Sequence, residues 1–296
     1  MSNRICELFG VRYPVVLGAI TQSPEFAAVV SNAGGLGGIA GSAAPLPLLR
    51  EKIRKIRDLT GDKPFSVNIP IVLTPEKDIQ PKMELLVEER VPVVITSAGN
   101  PKLWTKFLRD GGCKVAHVLP TLYHARKAVE AGVDAVIAEP AESGGYRGEQ
   151  EVSMMVLIPA IRRAFPDLPL VAAGAVADGD GFAAVVALGA DGLQMGTRFI
   201  ATKEANAAET SIRLILAATD TSTMSAEGRV KPRVNRPELA MEVFGEVKRT
   251  QMGQVAALID SVKTVEEVMR DLTEGGAAAA ARVSAQMAGF RAPVAV

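Results

Sequence analysis

The chain has 296 residues, 48% hydrophobic and 22% charged, with 33 Lys and Arg against 33 Asp and Glu. That length and composition suit one large α/β barrel, while zero net charge without a long basic run argues against a nucleic-acid track or an anionic membrane surface. Only 4% is aromatic, and glycine and alanine abound, which favours tight helix-on-strand packing over an aromatic-rich sandwich.

The first residues, M-S-N-R-I-C-E-L-F-G, hold no apolar h-region, and no apolar run is long enough to span a bilayer. A cytoplasmic protein without a signal peptide is expected. Cys6 and Cys113 fit no metal-ligand spacing; they read as reduced, small core residues, and no metal is expected.

Short apolar runs then alternate with longer amphipathic ones. The strand candidates are Pro14–Leu17, Leu36–Ile39, Phe65–Ile69, Val91–Ile95, Lys114–Leu119, Asp134–Ala138, Leu170–Ala173 and Gly192–Met195. Helical spacing fills the gaps, at Pro24–Asn32, Leu46–Leu59, Ile79–Glu89, Pro101–Gly111, Leu122–Ala131, Met154–Phe165 and Gly181–Leu188. Gly132 and Gly189 are the expected helix stops. Eight strand–helix alternations with strands apolar on both faces predict a parallel sheet, and eight is the number that closes into a (β/α)8 TIM barrel. An open doubly wound sheet is the competing fold, but Gly18 is followed by Ala19, Ile20 and Thr21 and starts no G-x-G-x-x-G.

After Gly196 the rhythm changes. Lys203–Ala218 reads as a helix, and the basic, proline-containing G-R-V-K-P-R-V-N-R-P at Gly228–Pro237 reads as a surface loop or lid. Helical patterns return from Leu239 and end in an alanine-rich helix at Gly275–Met287. The expected organisation is a barrel over residues 1–200 with part of the C-terminal helices, a helical and lid insertion over about 201–265, and a C-terminal helix over 266–296 packing on the barrel.

In such a barrel the loops after the strands carry the chemistry, and those after strands seven and eight bind phosphate. The sixth strand runs into E-P-A-E-S-G-G-Y-R-G at Glu139–Gly148. Ser143, Gly144 and Gly145 give that loop the backbone freedom to bring N–H groups against something flat or anionic. Amides at Gly174–Ala175 and Gly196–Thr197, with the Thr197 hydroxyl, are placed to converge on one phosphate. Gly18, Ala19 and Ile20 end the first strand, Asn68 the third, and Gln194 and Met195 the eighth. Asn68, Glu139 and Gln194 can hydrogen-bond the edge of a heterocycle, although each taken alone is equally well read as a satisfied core polar residue. A phosphate site with several polar strand ends suits a phosphate-bearing ring cofactor, and flavin mononucleotide (FMN) fits.

The motifs that complete the picture are Y-P-V-V-L-G at Tyr13, S-N-A-G-G-L-G at Ser31, K-P-F-S-V-N at Lys63, S-A-G-N-P at Ser97 and A-V-I-A-E at Ala135. With them stand E-S-G-G-Y-R-G at Glu142, A-A-G-A-V-A-D-G at Ala172 and Q-M-G-T-R-F-I-A-T-K-E at Gln194. On these the chain resembles the nitronate monooxygenase (2-nitropropane dioxygenase) family and, within it, the flavin-dependent enoyl-ACP reductases. The resemblance implies non-covalent FMN, with Asn68, Glu139, Gly144, Gly145, Ala175 and Gln194 to Thr197 at positions that contact it in relatives. It also exposes departures. Relatives carry E-A-G-G-H-x-G, with a histidine where this chain has Tyr146. They also carry G-G-M and A-A-G-G where it has Gly18–Ala19–Ile20 and Ala175.

Histidine, with a pKa near ~6.5, can take an acidic α-proton, whereas a phenol near ~10 is a poor base but a serviceable acid. The expectation is therefore an FMN enzyme that uses NAD(P)H to reduce an enoyl thioester, quinone or similar conjugated carbonyl, with Tyr146 as the acid. Tyr146 as a ring-stacking residue is the plainer reading. Two alternatives stand: a nitronate monooxygenase using O2, and a flavin-binding barrel without catalysis. His117, on the fifth strand, is placed to point into the barrel mouth as a substitute base, while His124 reads as surface. The expected partner is a small-molecule or acyl-thioester substrate, and a homodimer is compatible with the chain.

Overall fold

The protein is described by a computed structural model covering residues 3–227 and 231–290. Eleven strands are numbered in chain order. The first six are β1 (Val15–Leu17), β2 (Gly37–Ala40), β3 (Phe65–Pro70), β4 (Val93–Ser97), β5 (Lys114–Leu119) and β6 (Ala135–Ala138). The remainder are β7 (Gly145–Arg147), β8 (Leu170–Ala173), β9 (Gly192–Met195), β10 (Thr223–Ser225) and β11 (Lys231–Asn235).

Eight of them form one parallel sheet in the order β1-β9-β8-β6-β5-β4-β3-β2. Its two edges meet. Val16 bridges Leu36, with Leu36 N–H on Val15 O at 2.8 Å and Leu17 N–H on Leu36 O at 2.9 Å. The sheet is thus a closed TIM barrel, as its eight-fold alternation predicts. Inside it, small and branched side chains (Val16, Ile95, Ala116, Ile137, Val171, Ala173) pack on one another, and the outward faces meet the helices. Low aromatic content is what this requires, since eight strands leave an interior only wide enough for side chains of that size.

The strand ranges follow the apolar runs to within a residue or two. Several helices start on the caps the sequence supplies. Ser23 accepts from Phe26 N–H, Thr121 from His124 N–H, and Asp178 from Gly181 N–H. A short helix at Arg4–Phe9 adds to the expected set; its Ile5 and Phe9 are buried with the barrel-interior side chains, and Asn3 bonds Asp191 O at 2.7 Å. It plugs the barrel at the strand N-termini, contributing about 1.5–3 kcal/mol for each of those side chains, and leaves the C-terminal ends to hold the site.

Three expectations are corrected. The stretch Pro101–Gly111 is not one helix but a 3-10 turn, Pro101–Leu103, followed by the helix Thr105–Asp110. The helix expected from Lys203 begins at Glu209, because the preceding residues are engaged with the chain before the last helix. Thr202 bridges Lys263, and the Glu204 carboxylate accepts Val265 N–H at 3.1 Å. The segment read as a lid is, over Lys231–Asn235, the central strand of a sheet ordered β10-β11-β7; residues 228–230 of that reading, and 291–296 of the stretch expected to form the C-terminal helix, lie outside the described residues.

A second apolar cluster (Leu214, Ile215, Leu239, Met252, Ile259 and neighbours) holds the chain between the barrel and the last helix. That helix, Val265–Gly289, carries Thr264 and Glu267 as a capping box and lies against Gly179–Ala187. The approach depends on glycine, because a Cβ on Gly179 would stand 2.2 Å from both Gly275 C and Gly276 N. Gly179→Ala should therefore cost about 1–3 kcal/mol, seen as a lower thermal midpoint. Gly289→Ala, where nothing lies within 4 Å of the new methyl, should leave the midpoint unchanged or higher.

Candidate active site

The C-terminal ends of all eight barrel strands open on one cavity of about 1080 Å³. A single small ligand typically occupies ~300–1,000 Å³, so the space admits a cofactor with a second ligand beside it. Gly18, Ala19, Ile20, Asn68, His117, Glu139, Ser143, Gly144, Gly145, Tyr146, Gly174, Gln194, Met195, Gly196 and Thr197 all line it. Ala175 does not. It is half-buried, with a left-handed backbone at φ 60°, a conformation in which any Cβ is strained by about 1–2 kcal/mol.

The loop after β6 is built on pairing. Gly145, Tyr146 and Arg147 form β7 and pair antiparallel with Arg233, Pro232 and Lys231 of β11. Side chains alternate along a strand. Tyr146, 54% exposed, therefore faces the cavity mouth, while Arg147, 4% exposed, turns into the wall. Arg147 donates to Ala141 O and Ser225 Oγ, and to Glu151 at 3.2 Å; Arg233 donates to the same Ala141 carbonyl at 3.1 Å. Gly144 is needed for the wall, since a Cβ there would lie 2.6 Å from Gly253 N and 2.8 Å from Met252 C. Gly145 has φ 76°, in the region glycine alone enters freely.

On the β8–β9 side, the Gly174 N–H is already spent on Gln194 O at 2.9 Å, so that amide continues the ladder and does not face a ligand. Thr197 Oγ accepts Gly253 N–H at 3.0 Å and keeps its own hydrogen to donate. At Gly196 only the Ile20 side chain, at 3.0 Å, approaches where a Cβ would sit. The carboxamides of Asn68 and Gln194 line the cavity and have no protein partner among the described residues. Two unsatisfied amides are the donor and acceptor set that a flavin ring edge needs. With the Thr197 hydroxyl and the space at Gly196 for a phosphate, these residues fit FMN.

The two histidines differ. His117 is buried, and its Nδ1 lies 2.8 Å from the Thr96 hydroxyl. Burial pushes its pKa down to about 4. With Nδ1 engaged and its pKa depressed, His117 lines the cavity as a weak base. His124, read as surface, instead lines the cavity. A polar residue three positions after a helix-capping Thr121, directly beyond a barrel strand, was the signal for it.

The nitronate monooxygenase family profile matches residues 2–82 and 72–286. The chain belongs to that family. Its members are flavin-dependent oxidoreductases. Among solved structures, FabK from Thermotoga maritima superposes with a TM-score of 0.88 and 34% identity over 97% of this chain and 99% of that one. A nitroalkane oxidase from Streptomyces ansochromogenes shares the fold, with a TM-score of 0.82 and 24% identity over 95% of this chain and 99% of that one. A (3aS,4S,5R,7aS)-5-hydroxy-7a-methyl-1-oxo-octahydro-1H-indene-4-carboxyl-CoA dehydrogenase from Rhodococcus jostii is 36% identical over 206 residues, which is 69% of this chain. The chain spans 56% of that relative's length. No helix among the described residues is long and apolar enough to cross a membrane.

In this family member Glu139 stands at the end of β6 with part of its side chain open to the cavity. Burial pushes its carboxyl up to about 8; the Arg147 guanidinium and the Ser143 hydroxyl offset this only in part. An unfolded glutamate ionises near ~4.3, so between there and about 8 the unfolded state loses a proton that the folded state keeps. Stability from this group is complete at low pH and is lost as pH rises through that window. Apoprotein Glu139→Gln should match the wild type near pH 4 and become progressively more stable than it up to pH 8, followed by thermal unfolding. A pH-independent difference would refute the shift.

Proposed function

We propose that this chain is an FMN-dependent reductase that uses NAD(P)H to reduce an activated C=C, most naturally that of an enoyl thioester, with a quinone as the alternative acceptor. One observation carries the reading. The side chain that β7 presents to the cavity mouth is a phenol, Tyr146, where relatives in the resemblance carry an imidazole. A phenol donates a proton at neutral pH far better than it removes one, which suits saturation of an alkene and not deprotonation of a nitroalkane. The Rhodococcus relative supports a thioester, since it is named for a carboxyl-CoA. When bound, FMN supplies the hydride chemistry.

The chain's residues do the rest. Asn68 and Gln194 orient the ring edge, and Thr197 donates to the phosphate. Tyr146 holds the proton destined for the carbon α to the carbonyl. Glu139, protonated over most of the working range, adds a neutral hydrogen-bond donor under the loop. Oxidation of nitronates with O2 is the second reading, favoured by the family to which the chain belongs.

The purified protein should be yellow and release FMN on heating. Under anaerobic conditions NAD(P)H should bleach it and an enoyl thioester should restore the colour. Bleaching by a nitroalkane or nitronate without nicotinamide would establish the second reading instead, and no turnover with any donor would leave a flavin-binding barrel. Tyr146→Phe should slow alkene reduction at least about tenfold, and an unchanged rate removes Tyr146 from the chemistry.

A further inference from the structure

Tyr146 supplies a proton but leaves unanswered what receives the negative charge that hydride addition drives onto the substrate's oxygen. The cavity wall across from β9 holds the answer. His124 sits in the first turn of the helix Leu122–Ala131, directly after β5, and lines the cavity half-buried. Its Nδ1 lies 2.7 Å from the Thr121 hydroxyl, and the Tyr123 ring stands edge-on to it with centroids 5.3 Å apart. The ring is therefore held from two sides. Its Nε2 has no protein partner among the described residues.

The Thr121 hydroxyl permits the tautomer with the proton on Nε2. That oxygen already accepts His124 N–H at 3.3 Å as the helix cap, so its own hydrogen is free to point at Nδ1. A ring that accepts at Nδ1 carries its proton on Nε2. Burial moves the imidazole below the ordinary histidine range, which keeps it neutral at pH 7. His117 lines the same cavity but is more deeply buried, with Nδ1 on the Thr96 hydroxyl.

We propose that His124 is a catalytic residue whose Nε2–H donates to the acceptor oxygen of the substrate. The oxygen's identity rests on the reductase reading, under which it is the thioester carbonyl. NAD(P)H is the ultimate reductant. As hydride adds at the β carbon, the C=C pair moves to the α carbon and onto that carbonyl oxygen, where the His124 N–H meets the growing charge. The Tyr146 phenolic proton then passes to the α carbon, the carbonyl is restored, and the phenolate regains a proton from water. His124 gives up no proton in this sequence. A neutral imidazole used as a donor polarises a carbonyl without competing for the proton.

With only two histidines in the chain, long-range 15N–1H correlation spectra of the holoenzyme read each tautomer, and His124→Gln assigns them. The expected result is a neutral Nε2–H form of His124 whose Nε2 resonance moves when a saturated acyl thioester is added. An Nδ1–H tautomer, or no movement at saturation, overturns the proposal. In stopped flow, His124→Ala should slow reoxidation of the reduced flavin by an enoyl thioester about 10²-fold, the usual scale for one lost oxyanion donor. His124→Gln should recover part of that loss, and reduction by NAD(P)H should not change in either variant. Unchanged reoxidation in His124→Ala also overturns it. If the wild type itself is not reoxidised by the thioester, the reductase reading has failed. The spectra are then repeated with a nitroalkane, whose oxygens accept equally well, and an Nε2 that responds to neither ligand overturns the role of His124.

Discussion

The pairing of β7 with β11 is the constraint on which the site depends. A strand gives each residue one face or the other, so three residues of ladder settle that the Tyr146 side chain stands in the cavity and the Arg147 side chain in the wall. The wall must then accommodate two buried guanidinium groups, Arg147 and Arg233. It does so by giving them oxygens: Ala141 O accepts from both, Ser225 and Glu151 accept from Arg147, and Thr223 accepts from Arg233, while Arg147 Nε–H stays without a partner among the described residues. Left without such partners, charges so placed would cost several kcal/mol. The same loop is bolted at its start, where the Glu142 carboxylate accepts Met154 N–H at 3.1 Å and its carbonyl accepts Gln254 N–H at 3.0 Å.

Barrel order distributes the chemistry around the mouth. β5 and β9 lie three places apart in the eight-stranded ring. Groups suited to a phosphate and a ring edge, Thr197, Gly196 and Gln194, belong to the β9 end. Groups suited to proton and charge management, His124, Glu139 and Tyr146, belong to β5 and the loop after β6. Burial separates their behaviour without changing residue type. It moves Glu139 up to about 8 and His117 down to about 4, in each case towards the neutral form. Glu139, His117 and His124 thus all line the cavity in forms shifted towards neutrality.

The barrel was legible because its information is local. Each strand is a buried run closed by glycine or proline, and β5, β8 and β9 begin and end where those runs do. The strand ends that line the cavity were legible for the same reason: once the count reached eight, position in the count placed them. β7 and β11 were not. Gly-Tyr-Arg has no apolar alternation, and K-P-R-V-N is basic and contains a proline, which argues against a strand in any local reading. Their structure comes from each other. His124 was misread because a polar residue on a helix ordinarily faces water; being in the first turn, at the strand C-terminal face, turns it to the cavity instead. The Gly174 amide was misassigned since sequence shows a flexible turn but not that Gln194 O already holds its N–H.

The β7–β11 ladder also bears on the order in which the protein can be made. Every strand of the closed barrel lies before Gly196, so a nascent chain emerging from the ribosome holds all eight as soon as β9 has been synthesised. The partner of β7 does not yet exist at that point. Synthesis therefore passes through a stage at which the barrel can be complete while the segment bearing Tyr146 is an unpaired edge. The reactive wall is finished by a segment made after every barrel strand.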